Sequence, residues 1–184
     1  MTTGDQGPRF GHRLDGPSGA PVLVLSNSLG TTTSMWDTQM TELTQFFRVL
    51  RYEHRGHGGS PAPAGPYSIA DLGGDLLSLL DELEVEKVSL VGLSLGGMVG
   101  MWLAATHPQR IERLVLCCTA PKLGTRESWN ERAATVRRQG VASITEQLFG
   151  RWFHSGLSGG TSRGARFVRL HARKRRRGGV RRLL

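Results

Sequence analysis

The sequence predicts an α/β fold built on a mostly parallel sheet, followed by a pair of helices that could form a lid and a disordered basic tail. Three observations predict it. Short apolar runs alternate with stretches of helical periodicity, which is the pattern of strands joined by right-handed helical crossovers. One apolar run, Val88 to Val91, ends in Gly92-Leu93-Ser94-Leu95-Gly96 and passes directly into a helical stretch. The last 31 residues carry ten Lys or Arg and no Asp or Glu, and they show neither a two-residue nor a 3.6-residue period. The expected division is a core over residues 1–126, a partial helical lid over 127–153 and a tail over 154–184.

The elements follow in order. Val22-Leu23-Val24-Leu25 reads as a buried strand opening into the loop Ser26-Asn27-Ser28-Leu29-Gly30. Arg48 to Tyr52 reads as a second strand, and Arg55-Gly56-His57-Gly58-Gly59-Ser60-Pro61 as the turn after it. Ile69, Leu72, Leu76, Leu79, Leu80 and Leu83 recur at helical spacing behind Ser68, a suitable N-cap. After the strand at Val88, the residues Leu95, Met98, Trp102 and Ala105 are expected to mark the packed face of a helix that stops near His107-Pro108. Residues 111–118 contain another strand. Beyond it, Trp129, Ala133 and Val136 form one helical stripe, and Val141, Ile144, Leu148 and Trp152 a second, broken from the first at Gly140. These two helices are read either as a lid over the mouth of the sheet or as ordinary packing helices. Phe167, Val168 and Leu170 could support a short helix inside the tail.

Composition narrows the classes. A chain of 184 residues can bury one real core. No apolar run approaches the roughly 18 residues of a membrane span, so no membrane association is expected. The N-terminal Met1-Thr2-Thr3-Gly4-Asp5 lacks the basic-then-apolar order of an export signal. The two cysteines, Cys117 and Cys118, are adjacent on the expected strand, where neighbours face opposite ways and a bridge would be strained. A cytoplasmic protein with no metal and no organic cofactor is the expectation. The net charge of +9 resides in the tail, because residues 1–153 balance to −1. Arg173 to Arg177 could bind phosphate unspecifically, but the block lacks interleaved aromatics, so a solvated tail is preferred and no specific nucleic acid is expected. Oligomeric state is not legible.

The chemistry centres on Ser94. An apolar strand, then Gly-x-Ser-x-Gly, then a helix describes a nucleophile elbow, a sharp turn that presents a serine hydroxyl for acyl transfer. Gly92 and Gly96 suit the close packing of such a turn. The helix that begins behind Ser94 leaves unpaired N–H groups where negative charge would develop. Gly156-Leu157-Ser158-Gly159-Gly160 matches the same pattern, but no strand precedes it and no helix follows, so Ser158 is set aside. The backbone N–H groups of Leu95 and of Leu29, in the loop after the first recognised strand, are the candidate oxyanion donors. An acid and a histidine should follow the serine, in that order. No Asp follows Ser94, and Glu112, Glu127, Glu131 and Glu146 fall on expected solvated surface. His154 and His171 lie beyond the last recognisable element, His107 closes a helix, and His57 precedes the nucleophile and reads as structural. No triad acid or base is assigned.

Several segments together resemble one family. They are Ser26 to Thr31, Met35-Trp36-Asp37, Arg55-Gly56-His57-Gly58, Gly65 to Ile69, Gly92 to Met98, Arg110 to Leu116 and Trp129-Asn130. Over about residues 10–153 the chain is similar to 3-oxoadipate enol-lactonases, members of the α/β-hydrolase superfamily in aromatic-acid catabolism, the β-ketoadipate pathway. The resemblance implies the α/β-hydrolase fold, Ser94 as nucleophile, Leu29 and Leu95 as oxyanion donors, no cofactor, and a small dicarboxylate lactone as substrate. It makes the core the N-terminal half of the family's mostly parallel sheet and residues 121–153 the start of the lid. Glu53 stands where the family usually has Asp. The switch to Arg- and Gly-rich sequence after about residue 153 suggests a truncated or frameshifted ending, so little activity is expected of this chain alone. Another esterase or a perhydrolase is the alternative chemistry, and a catalytically dead fragment with a nucleic-acid-binding tail the alternative of another class.

Overall fold

In the computed structural model, which describes residues 10–144, the chain divides into two compact units between Leu123 and Gly124. The first holds a five-stranded sheet with β1 (His12–Asp15), β2 (Val22–Ser26), β3 (Arg48–Tyr52), β4 (Val88–Leu93) and β5 (Ile111–Cys117) in the order β1-β3-β2-β4-β5. All neighbours are parallel except β1, which runs antiparallel to β3 at one edge. The parallel sheet and its helical crossovers agree with the expected fold class. β1 was not foreseen. It is four residues long with a single apolar side chain, and it is held on β3 by register and by an Arg51–Asp15 ion pair of 2.7 Å across the two strands.

β2 and β3 are buried on both faces, as a parallel sheet requires, and β4 is buried on one face and half-buried on the other. On one face Leu23, Leu25 and Val49 form a cluster against Trp36 and Phe47 and against Met40 and Leu43 of the one-turn helix α1 (Met40–Leu43). The other face carries α2 (Ile69–Glu82) and α3 (Leu95–Thr106). α2 forms because its apolar residues share one side and its N-terminus is closed reciprocally. The Asp71 N–H donates to the Ser68 hydroxyl at 3.1 Å, and the Ser68 N–H donates to the Asp71 carboxylate at 2.6 Å. Leu72, Leu76, Leu79 and Leu80 are all buried, and each stabilises the fold by roughly 1.5–3 kcal/mol.

α3 departs from the expected face. Its buried residues are Gly96, Gly97, Val99, Gly100 and Leu103, whereas Leu95, Met98 and Trp102 are half-buried and Ala105 is exposed. The physical reason is backbone approach. A Cβ on Gly100 would meet the Leu90 and Leu114 side chains, so the glycine side of the helix lies on the sheet. Glycines carry no weight in an apolar pattern, and the pattern therefore pointed to the wrong side. Trp102 instead lies where a Cβ on Gly73 of α2 would be. A second correction concerns the cysteines. β5 ends at Cys117, and Cys118 lies past it with φ 46°, so the two are not consecutive strand residues; both thiols are free.

The second unit contains α4 (Arg126–Gln139), opened by a capping box between Thr125 and Ser128 and closed at Gly140 with φ 82°. Ala133 and Val136 of the expected stripe are buried, and the Arg132 guanidinium stacks 5.1 Å above the Trp129 ring. Of the second stripe, the described residues include Val141–Ile144, which form a 3-10 turn with Ile144 buried. Leu148 and Trp152, the rest of that stripe, lie outside the described residues, as do the tail and Ser158.

Candidate active site

Ser94 occupies the junction between β4 and α3, with φ 53° and ψ −110°. A positive φ at a residue with a Cβ costs on the order of 1–3 kcal/mol and persists only where surroundings enforce it. Here the backbone is held on both sides. The Ser94 N–H donates to the Cys117 carbonyl at 2.9 Å, at the end of β5. The Ser94 carbonyl accepts from the Met98 N–H at 3.1 Å and from the Thr119 hydroxyl at 2.7 Å. Both backbone groups are thus used, while the half-buried side-chain hydroxyl has no hydrogen-bond partner among the described residues.

The glycines on either side explain how the turn closes. A Cβ on Gly92 would run into the Gly96 carbonyl, and one on Gly96 would run into the carbonyl of Ser26 on the neighbouring strand. The helix therefore begins directly against β2. Leu95 is its first residue, and the N–H of a first helical residue has no intrahelical acceptor.

The loop after β2 reaches the same end of the sheet, because Ser26 is in register with Gly92 on the adjacent parallel strand. Leu29 and Gly30 are the central residues of a turn in which the Thr31 N–H donates to the Ser28 carbonyl at 3.2 Å. The Thr31 hydroxyl donates to the same carbonyl at 2.8 Å. Gly30 has φ 78°, the conformation a type II turn demands at its third residue. The Gly30 N–H is bound to the His57 ring and the Thr31 N–H to Ser28, whereas the Leu29 N–H meets no acceptor among the described residues.

The loop is secured from β3 and the turn that follows it. Asn27, fully buried, donates from Nδ2 to the Tyr52 carbonyl at 2.9 Å and accepts at Oδ1 from the Trp36 indole at 2.8 Å. Its carbonyl accepts from His54 Nε2 at 3.1 Å, which places the His54 proton on Nε2. His54 is buried, with Nδ1 unpartnered, and burial lowers its pKa to about 4, so it is neutral. Tyr52 shares a 2.9 Å hydrogen bond with the Ser26 hydroxyl, and burial pushes its phenol well above the usual range. Further along, Glu53 Oε1 accepts from the N–H and the hydroxyl of Thr33, at 3.0 and 3.1 Å.

Sequence reasoning gave the elbow and the loop their place but missed Asn27, Glu53 and His54 as the groups that hold the loop. Polar residues directly after an apolar strand were the available signal. The reading of His57 as structural agrees with its geometry, since both ring nitrogens are engaged by backbone groups. Glu112 is exposed and pairs with Lys87 at 2.7 Å, and Glu127 and Glu131 are exposed on α4. Among the described residues no cluster of His, Cys, Asp or Glu could hold a metal, and no helix is long and apolar enough to cross a membrane.

The chain is similar to known proteins. The profile of the alpha/beta hydrolase fold family matches residues 21–153. The chain is 41% identical to 3-oxoadipate enol-lactonase 2 of Acinetobacter baylyi over 142 residues, which is 77% of this chain and 53% of that protein. The enol-lactonase structure from Burkholderia xenovorans superposes with a TM-score of 0.83 at 43% identity, covering 89% of this chain and 63% of that one. A hydrolase structure from Pseudomonas aeruginosa gives a TM-score of 0.89 at 46% identity, covering 94% of this chain and 66% of that one. The chain spans about half the length of the curated relatives it matches.

Proposed function

Because the chain belongs to the alpha/beta hydrolase fold family, we propose that it carries the nucleophile and oxyanion half of a serine hydrolase whose substrate is 3-oxoadipate enol-lactone. The observation that carries this reading is the backbone of Ser94, held at φ 53° between β4 and α3 with its hydroxyl unengaged among the described residues. In the proposed reaction Ser94 Oγ attacks the lactone carbonyl as a base removes its proton. The N–H groups of Leu29 and Leu95 take up the charge on the carbonyl oxygen. The C–O bond of the ring then breaks, the enol oxygen receives the proton, and the enol ketonises while the acyl group is still esterified to Ser94. Water next attacks this ester, returns the proton to Ser94 Oγ and releases 3-oxoadipate with its second carboxylate. No cofactor takes part in these steps.

The lactone is supported by the enol-lactonases among the relatives. The general base and its acid are proposed to come from outside residues 10–144. Among the described residues, His12 on the edge strand β1 is bound to the Phe10 carbonyl, His54 and His57 are bound to loop backbone and His107 closes α3. Loss of a triad histidine can lower turnover by about 10⁶, so a chain lacking one is expected to turn over slowly. The test is ring opening by the purified chain, followed through the ultraviolet absorbance of the enol-lactone. Slow opening above the solvent background, abolished by Ser94→Ala, supports the reading. Opening that survives Ser94→Ala contradicts it. A simple-ester panel run alongside separates lactonase from general esterase, an activity carried by a structural relative at 28% identity.

A further inference from the structure

We propose that Thr31 and Thr119 are positioning residues, each of which aims one of the two oxyanion N–H groups by hydrogen-bonding the carbonyl at the other end of the same peptide. The inference rests on the hydrolase reading above, in which the N–H groups of Leu29 and Leu95 serve the reacting carbonyl oxygen. Each of those N–H groups belongs to a peptide whose carbonyl comes from a serine, Ser28–Leu29 and Ser94–Leu95, and both peptides are trans. A trans peptide is planar and its N–H points opposite to its C=O, so whatever fixes the carbonyl also fixes the N–H.

The two planes are held in the same way. The Ser28 carbonyl accepts the Thr31 N–H at 3.2 Å and the Thr31 hydroxyl at 2.8 Å. The Ser94 carbonyl accepts the Met98 N–H at 3.1 Å and the Thr119 hydroxyl at 2.7 Å. A carbonyl oxygen offers two lone pairs, and in each case one backbone amide and one threonine hydroxyl take both. The Thr31 hydroxyl also lies 3.1 Å from the Met35 sulfur, but it has a single hydrogen, and the carbonyl is the nearer and the stronger acceptor.

The hydroxyls add what the amides alone do not. Rotation about ψ of Ser94, which stands at −110°, would swing the Leu95 N–H away from the reacting oxygen. The Met98 N–H belongs to the same helix as Leu95 and turns with it. Thr119 instead lies beyond β5, two residues after Cys117, whose carbonyl takes the Ser94 N–H. Both peptide planes that flank Ser94 are thereby anchored to the chain at the end of β5. The Thr119 methyl lies where a Cβ on Gly97 would be, and this contact sets the rotamer that turns the hydroxyl toward Ser94. A hydrogen bond received by a carbonyl also polarises the amide, which makes its N–H a stronger donor.

The experiment compares Thr31→Val and Thr119→Val, which keep the shape and remove the hydroxyl, with Thr31→Ser and Thr119→Ser, which keep the hydroxyl. The first readout is the limiting rate of Ser94 phosphonylation by a fluorophosphonate. Each Val variant is expected to react on the order of tenfold more slowly than the unsubstituted chain, and each Ser variant within about threefold of it. The half-saturating reagent concentration should stay nearly constant, because the charge on the oxygen develops only in the transition state. The second readout is an NMR spectrum of the chain labelled with ¹³C-carbonyl serine and ¹⁵N-leucine, which reports only the four Ser–Leu peptides, at 28–29, 78–79, 89–90 and 94–95. Thr31→Val should move the 28–29 signal and Thr119→Val the 94–95 signal, while those at 78–79 on α2 and 89–90 on β4 stay in place and show the fold intact. If a Val variant does not fold, Thr31→Ala or Thr119→Ala takes its place. Equal rates for the Val and Ser variants, or signals at 28–29 and 94–95 that do not move, overturn the inference. If the unsubstituted chain is not labelled at Ser94, the hydrolase reading fails instead, and the positioning role falls with it.

Discussion

At the scale of single residues, the site is a set of backbone groups held in position by buried side chains, and Gly96 and His54 make this testable. Gly96 is small because α3 starts against the Ser26 carbonyl. Gly96→Ala is expected to destabilise the fold by about 1–3 kcal/mol, measured by urea unfolding, because backbone rather than a flexible side chain must yield. His54 has a folded pKa near 4 against an ordinary value of 6.5, lowered first by burial. The unfolded chain therefore binds its proton more readily between those values. Stability from this group is complete above about pH 6.5 and is lost as the pH falls toward 4, with the aromatic Tyr52 and the His57 ring as its close neighbours. The urea midpoint should fall between pH 7 and pH 5, and the fall should be shallower in His54→Gln. Of this network the sequence made the elbow and the position of the Ser26–Gly30 loop readable, since Gly-x-Ser-x-Gly after a strand and a polar stretch after an apolar run specify local shapes. The loop holders were not readable, because Asn27, Glu53 and His54 act on partners up to 27 residues away.

At the scale of elements, legibility followed how local the causes are. α2 was legible because its apolar spacing and its N-cap lie within one stretch of chain. Ser68→Ala should cost about 1 kcal/mol by removing the reciprocal cap. α3 was legible in extent but not in orientation, because its packed side is defined by glycines that let a neighbour approach. β1 was invisible because four mostly polar residues become a strand only when β3 offers an edge. β4 and β5 differ in the same way. Leu90 on β4 is fully buried, while Val115 and Leu116 on β5 are 51% and 44% exposed. Leu90→Ala is expected to cost about 2–5 kcal/mol, and Leu116→Ala less than about 1 kcal/mol, by thermal or urea unfolding. Equal losses at the two positions would contradict this assignment of core and edge.

At the scale of the whole chain, the residues that match the family profile, 21–153, coincide with those in which apolar periodicity is strong. The excess positive charge falls after them. The fold class followed from alternation of strands and helices, a property spread over many residues and robust to error at any one. The reaction depends on one hydroxyl, and the most direct test of the account is to find where a fluorophosphonate attaches. Intact-protein and peptide mass spectrometry of the treated chain should show a single adduct on the peptide containing Ser94, absent from Ser94→Ala. An adduct on Ser158, or the same labelling in Ser94→Ala, would contradict it.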